Sequence, residues 1–182
     1  MDPVKNALNP VAVDWHSPEN YFLLNPRMSA ADIKVLVEVA QEICSRRNLQ
    51  SHIWIATSGS TSDSMSQVKF VALAKSAFLA SAQAVNTHLQ TSTSDTWLQV
   101  LPRFHVGGLG IEVRAQLSKS KVVSDLDKWD PVRIQKLMQD HKVTITSMVP
   151  AQVFDLVQAK VKAPKYLRAV IVGGGALTET LY

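Results

Sequence analysis

The chain has 182 residues, 46% hydrophobic and 19% charged, with a formal net charge of +4. Nineteen basic and fifteen acidic residues nearly cancel and four Trp need burial, which excludes a disordered chain. No stretch approaches the ~20 continuous apolar residues of a membrane-spanning helix, and a single Cys excludes an internal disulfide or a cysteine-based zinc site.

Residues 1–28 are punctuated by Pro3, Pro10, Pro18 and Pro26 and read as an irregular lead-in. Lys5 is followed by no apolar run, so a secretory leader is not expected and the expected compartment is the cytoplasm. Ser29 then offers an N-cap with Asp32 in the first turn. Ile33, Leu36, Val37, Ala40, Ile43 and Cys44 follow at helical spacing, which makes Cys44 a core thiol rather than a nucleophile. Residues 52–57 read as a short buried strand, and a Ser-rich loop follows. Residues 68–73 form a second strand leading into a helix marked by Phe78, Leu79, Ala82, Val85 and Leu89. Residues 97–101 are a strand closed by Pro102, and Gly107–Gly108 opens a helix reaching Leu117. A brief strand at 121–124 precedes Asp130–Pro131, an N-cap with Pro at the first helical position. Strands at 144–149 and 169–172 flank a helix begun by Pro150, and the last strand ends in three glycines. Alternation of this kind predicts an α/β fold, a mostly parallel sheet covered by helices on both faces.

The basic residues run from Lys5 to Arg168 in pairs such as Arg46–Arg47 and Lys119/Lys121, with no dense block. They read as a mildly basic solvated surface rather than a nucleic-acid footprint. Attraction for an anionic small substrate stays open.

Three loops directly follow predicted strands, where ligands of open α/β sheets bind. In the first, Thr57, Ser58, Gly59, Ser60 and Thr61 lead on to Lys69. Backbone N–H groups and hydroxyls there can cradle phosphate oxygens beside a mobile cation. Walker A spacing is absent, and an ordinary Ser-rich linker is the other reading. In the second, His105 precedes Gly107 and Gly108; a lone His after a strand is either structural or a group titrating near neutrality. No G-x-S-x-G elbow exists, which argues against a serine hydrolase. In the third, Gly173, Gly174, Gly175 and Ala176 allow either close approach of a flat ligand or a tight turn, and G-x-G-x-x-G spacing is not met. The five His show no metal-ligand spacing.

Taken in order, these loops resemble the adenylate-forming superfamily of acyl-CoA synthetases, luciferases and adenylation domains. Thr57 to Thr61 match the first half of its T-S-G-[ST]-T-G-x-P-K-G loop, with Lys69 as the counterpart of its lysine. Val71, Leu73 and Lys75 resemble the family's sequence after that lysine. Leu101, Pro102, Phe104, His105 and Gly108 match L-P-x-F-H-x-x-G, and Gly173 to Leu177 match the segment bordering adenine and acyl group. Within the superfamily, the second motif and the short N-terminal portion are most similar to the o-succinylbenzoate–CoA ligases of menaquinone synthesis. Departures are Ser62 where a glycine is usual, an insertion over residues 63–67, and Val68 in place of proline.

The resemblance implies part of a large N-terminal domain, with residues 29–182 as an AMP-binding core truncated at its C-terminal end. It implies an acid–thiol ligase that spends ATP to turn a carboxylic acid into an acyl-adenylate and passes it to coenzyme A. Thr57 to Thr61 and Lys69 would hold ATP phosphates, while His105, Gly107, and Gly173 to Ala176 would shape the acyl and adenine pocket. No residue stands out as a general acid or base. The magnesium ligand and a C-terminal segment are expected outside this chain, which by itself would be weakly active or inactive. A nucleotide- or acyl-binding module that has lost catalysis is the alternative.

Overall fold

The computed structural model describes residues 12–58 and 68–178. The chain forms two compact units, residues 1–81 and 82–182. Helix α2, Lys75–Leu89, runs from one into the other.

The first unit contains β1 (Tyr21–Leu23), α1 (Ala30–Arg47), β2 (His52–Ser58) and β3 (Val68–Ala74). The proline-rich lead-in is thus not wholly irregular: β1 pairs in parallel with β2, Tyr21 opposite Ile53. All three of its residues are buried, so packing overrides the proline punctuation. The pairing of β2 with β3 is antiparallel, with Thr57 opposite Lys69, so this part of the chain departs from the parallel βαβ expectation. Helix α1 starts where the cap signal places it: Ser29 Oγ accepts from the Asp32 N–H at 3.1 Å. Its apolar stripe, Ile33, Leu36, Val37 and Ala40, packs with Phe22, Leu24 and Trp54, and half-buried Cys44 lies against the same core. Burial raises the Cys44 pKa, as a core thiol requires.

Lys75 is the surprise of this unit. Its side chain is buried and donates to the carbonyl oxygens of Asp14 (2.6 Å) and Ser17 (2.9 Å) and to Ser17 Oγ (2.9 Å). All three ammonium protons are used, with the Tyr21 ring 4.5 Å away, so this lysine ties down the lead-in. Burial lowers its pKa, against the pull of Asp14 and Glu19.

The second unit is a four-stranded parallel sheet in the order β5-β4-β6-β7, built from β4 (Thr96–Gln99), β5 (Lys121–Ser124), β6 (Ile145–Met148) and β7 (Ala169–Val172). Helices α3 (Val106–Ser118), α4 (Pro131–Asp140) and α5 (Pro150–Gln158) make the crossovers. Both faces of the sheet are covered. Trp97 on β4 packs with Ile111 and Ala115 of α3, whereas its neighbour Leu98 packs with Ile134 and Met138 of α4. Residues one apart on a strand point to opposite faces, so the apolar pair needs a helix on each side. The Asp130 cap is also as the sequence predicts, its Oδ1 accepting from the Arg133 N–H at 2.8 Å.

One polar lock closes the amino-terminal end of this sheet. Asp95, 5% exposed, accepts from Arg168 Nε at 3.0 Å and Nη2 at 2.9 Å, and from Thr144 Oγ1 at 2.7 Å. Burial alone would raise its pKa, but the bonds from Arg168, Thr144 and the Ser92 N–H outweigh it and hold the carboxyl below the usual range. The stability this group contributes is complete above the unfolded carboxylate pKa of about 4 and is lost as pH falls through that value towards the folded one. Asp95→Asn is therefore expected to lower the melting temperature at neutral pH and to flatten its acid dependence below about pH 4. Equal acid slopes for the two proteins would refute this.

Candidate functional site

A cleft of about 490 Å³ opens at the carboxyl ends of β4, β6 and β7, within the second unit. Its walls are Leu101, His105, Val106 and Gly107 after β4, Ser147, Met148 and Val149 at the end of β6, and Ile171, Gly173 and Gly174 at the end of β7. Arg114 of α3 completes it. In a parallel sheet these loops converge because every strand points the same way, and the crevice beyond the strand ends is where such sheets take ligands.

The loop after β4 turns back on itself, with the His105 N–H donating to Pro102 O at 3.0 Å, and His105 is the N-cap of α3. The backbone of Gly108 sits so close beneath it that an added Cβ would meet the Leu101 and Pro102 carbonyl oxygens and come within 2.6 Å of the Pro102 carbonyl carbon. That glycine is a packing requirement. His105 is exposed and lines the cleft, its ring lies 4.7 Å from that of Phe104, and desolvation lowers its pKa. The imidazole is thus held towards its neutral form.

The glycines after β7 divide the two readings of that loop between them. Gly174 has φ +82, a left-handed turn that side chains resist. Gly173 has nothing within 4 Å of its added Cβ, which leaves open space on the cleft wall. Gly175 lies against Pro150 of α5, and neither it nor Ala176 is among the residues lining the cleft.

Arg114 is what reading the sequence missed. It sits at i+7 from Gly107 on α3, a spacing that brings a helical residue back to the same face, but an isolated arginine in a helix carries no motif. Its Nη1 lies 3.4 Å from Ser147 Oγ, its Cζ is 6.0 Å from the Trp97 ring centroid, and its Nε is buried without a partner. The arginine ion pairs of this unit, among the described residues, join Arg103 to Glu112, Arg133 to Asp125 and Arg168 to Asp95; none reaches Arg114. Desolvation disfavours its charge. A half-buried guanidinium on an apolar cleft wall, with no ion pair among the described residues, is an arrangement that favours an anionic group.

The sequence also placed candidates in the first unit. Thr57 and Lys69 are register partners at the ends of β2 and β3, and Lys69 is exposed. Ser58 ends β2, while Gly59, Ser60 and Thr61 lie outside the described residues. Among the described residues no group of three His, Cys, Asp or Glu could hold a metal. No described helix is long and apolar enough to cross a membrane.

A parallel sheet with a glycine-edged, cation-bearing apolar cleft at its carboxyl end defines an α/β small-molecule binding domain. Residues 24–182 match the AMP-binding enzyme family, and the chain belongs to that family. It is 33% identical, over 70% of its own length and 26% of the relative's, to a 2-succinylbenzoate–CoA ligase of Bacillus cytotoxicus. Among solved structures it is similar to the o-succinylbenzoate CoA synthetase of Bacillus subtilis in complex with the acyl-adenylate intermediate. That match has TM-score 0.62 and 25% identity, covering 71% of this chain and 26% of that one. The unliganded form of the same synthetase matches 89% of this chain and 42% of its own, with TM-score 0.69 at 19% identity, which shows the fold. The chain spans about a quarter of the length of the curated relative.

Proposed function

We propose that this chain is the N-terminal core portion of an acid–CoA ligase whose substrate is o-succinylbenzoate, a step of menaquinone synthesis in the cytoplasm. The observation that carries the reading is the Arg114 guanidinium on an apolar cleft wall, without an ion-pair partner among the described residues. An aryl acid with a second carboxylate fits that wall twice: the ring against Leu101, Val106, Met148 and Ile171, and the spare carboxylate on the guanidinium. A fatty acid would fill the apolar walls and leave Arg114 unanswered.

In the first step the substrate carboxylate attacks the α-phosphorus of ATP, the bond to pyrophosphate breaks, and an acyl-adenylate forms. The thiol of coenzyme A then attacks the acyl carbon and AMP leaves. The chain's own share of this is positioning and exclusion of water. Thr57, Ser58, Gly59, Ser60, Thr61 and Lys69 hold the ATP phosphates. His105 and Gly107 bound the acyl group, while Gly173 and Gly174 form the wall shared by acyl and adenine. Solved forms of the Bacillus subtilis synthetase hold ATP with magnesium and, in a double mutant, the product analogue OSB-NCoA, which supports these as the substrates and the ion. The magnesium carboxylate and the thioester-forming segment belong to the remainder of the ligase.

ATP–pyrophosphate exchange tests the reading. It is to be driven by o-succinylbenzoate, benzoate and a fatty acid, on this chain and on any longer natural form. Exchange in the longer form with the dicarboxylic acid alone is expected, and weak or no exchange in the 182-residue chain. Exchange driven best by a fatty acid would overturn the substrate. No exchange in either folded form would favour a non-catalytic nucleotide- or acyl-binding module.

A further inference from the structure

The net positive charge of the chain is not spread evenly along it. Every crossover of the parallel sheet returns its helix to the amino-terminal end of the next strand, so α3, α4 and α5 all finish at the end opposite the cleft. There the connections carry Lys119, Lys121, Lys142, Lys160, Lys162 and Lys165, all exposed, together with Arg168. Only two acids lie in the same connections and strand starts: Asp140, and Asp95, already bound to Arg168. The remainder of the chain holds twelve cations against thirteen acids, so the whole basic surplus sits on one end of one sheet. The pairs that look scattered in sequence are gathered by topology.

Three of these lysines occupy positions that favour another residue. Lys119, Lys142 and Lys160 have φ of 54°, 53° and 51°, the left-handed conformation in which a helix end prefers glycine. Each closes its helix in the same way, the following N–H donating to a carbonyl five residues before it: Ser120 to Ala115 O, Val143 to Met138 O, Val161 to Leu156 O. Positive charge at a helix C-terminus is favourable, which offsets part of the strain. Glycine would remove the strain outright, and with it the charge.

We propose that this end of the sheet is a docking surface for an anionic lipid bilayer. Lysines supply point charges on mobile stems without the planar fork that reads individual phosphates, as suits a diffuse layer of headgroups. Apolar side chains stand exposed among them: Leu117 at the end of α3, Val122 at the start of β5, and Tyr166, whose ring has Lys142 Nζ at 5.8 Å and Lys165 Nζ at 5.5 Å. Leucine and valine beside lysines gain nothing on a phosphodiester backbone, but they enter a headgroup layer, and tyrosine is at home there. The cleft lies at the other end of the strands, so docking leaves it open to solvent. This inference stands apart from the choice of acyl substrate.

The test is co-sedimentation of the intact chain with phosphatidylcholine vesicles, with and without phosphatidylglycerol. Binding is expected only to the anionic vesicles and is expected to fall steeply as salt is raised. The triple variant Lys119→Gly, Lys142→Gly, Lys160→Gly should lose roughly a hundredfold in partitioning. Its melting temperature should stay equal or rise, which separates lost charge from lost fold. The control Arg46→Gln, Arg47→Gln, on α1 of the first unit, should bind as the parent does. Absence of binding to anionic vesicles, or equal loss in variant and control, would overturn the proposal. Tighter binding to single-stranded RNA or polyglutamate than to the vesicles would overturn it in favour of that polyanion.

Discussion

Arg114→Leu is expected to separate binding from stability in opposite directions. The substitution keeps apolar volume on the cleft wall and removes a guanidinium whose Nε is buried without a partner. An uncompensated charge opposes folding, so the variant should melt at the same temperature as the parent or higher. Affinity for an aryl acid bearing a second carboxylate should fall by roughly two to three orders of magnitude, the usual effect of removing one partner of a half-buried charge pair. Benzoate, which brings no second carboxylate, should bind both proteins alike. Arg114→Lys should recover only part of the loss, because an ammonium replaces a fork that Ser147 already helps to orient. Calorimetric titration of the three proteins with the two acids measures all of this. Equal losses for both acids would mean that Arg114 shapes the cleft rather than recognising charge.

The second unit was legible to within one or two residues at its strand ends, 97–101 being read where β4 is Thr96–Gln99, and the reason is local. Asp130–Pro131, the glycines at 107–108 and Pro150 each announce a helix start with their own chemistry, and the short runs between them favour strands. The glycines after β7 and the His105 loop were found as candidates because strand ends are where a parallel sheet takes ligands. Less of the first unit could be read. Tyr21–Leu23 is only three residues long and is made a strand by its pairing with β2, a contact across some thirty residues that no local pattern reveals. The antiparallel register of β2 and β3 was hidden for a similar reason: two strands with a long polar loop between them are compatible with either direction until the pairing is seen. Arg114 and the lysine-rich end of the sheet were missed on different grounds. Both depend on which face or end of an element a charge occupies after folding, and composition counts charges without placing them.

Gly108→Ala is expected to have the largest effect on folding of any alanine placed at a described glycine. The new Cβ has no room, since the atoms in its way are the carbonyl groups of Leu101 and Pro102 rather than a side chain that can turn aside. To admit it, the first turn of α3 must lift off the loop, breaking the bond from the His105 N–H to Pro102 O and displacing the cleft wall. A loss of about 3 kcal/mol or more is the consequence of overpacking against backbone. Two neighbours calibrate the result. At Gly110 the atoms nearest the added Cβ belong to the Arg114 guanidinium, the first at 3.3 Å, so Gly110→Ala should change the fold little and shift the cation. At Gly173 nothing lies within 4 Å, so Gly173→Ala should leave stability unchanged and affect only a ligand lying against that wall. Denaturant titration therefore has a required order, with Gly108→Ala far below Gly110→Ala and Gly173→Ala near the parent. A mild Gly108→Ala would mean that the loop carrying His105 is free to move away from α3, and with it the cleft that the loop defines.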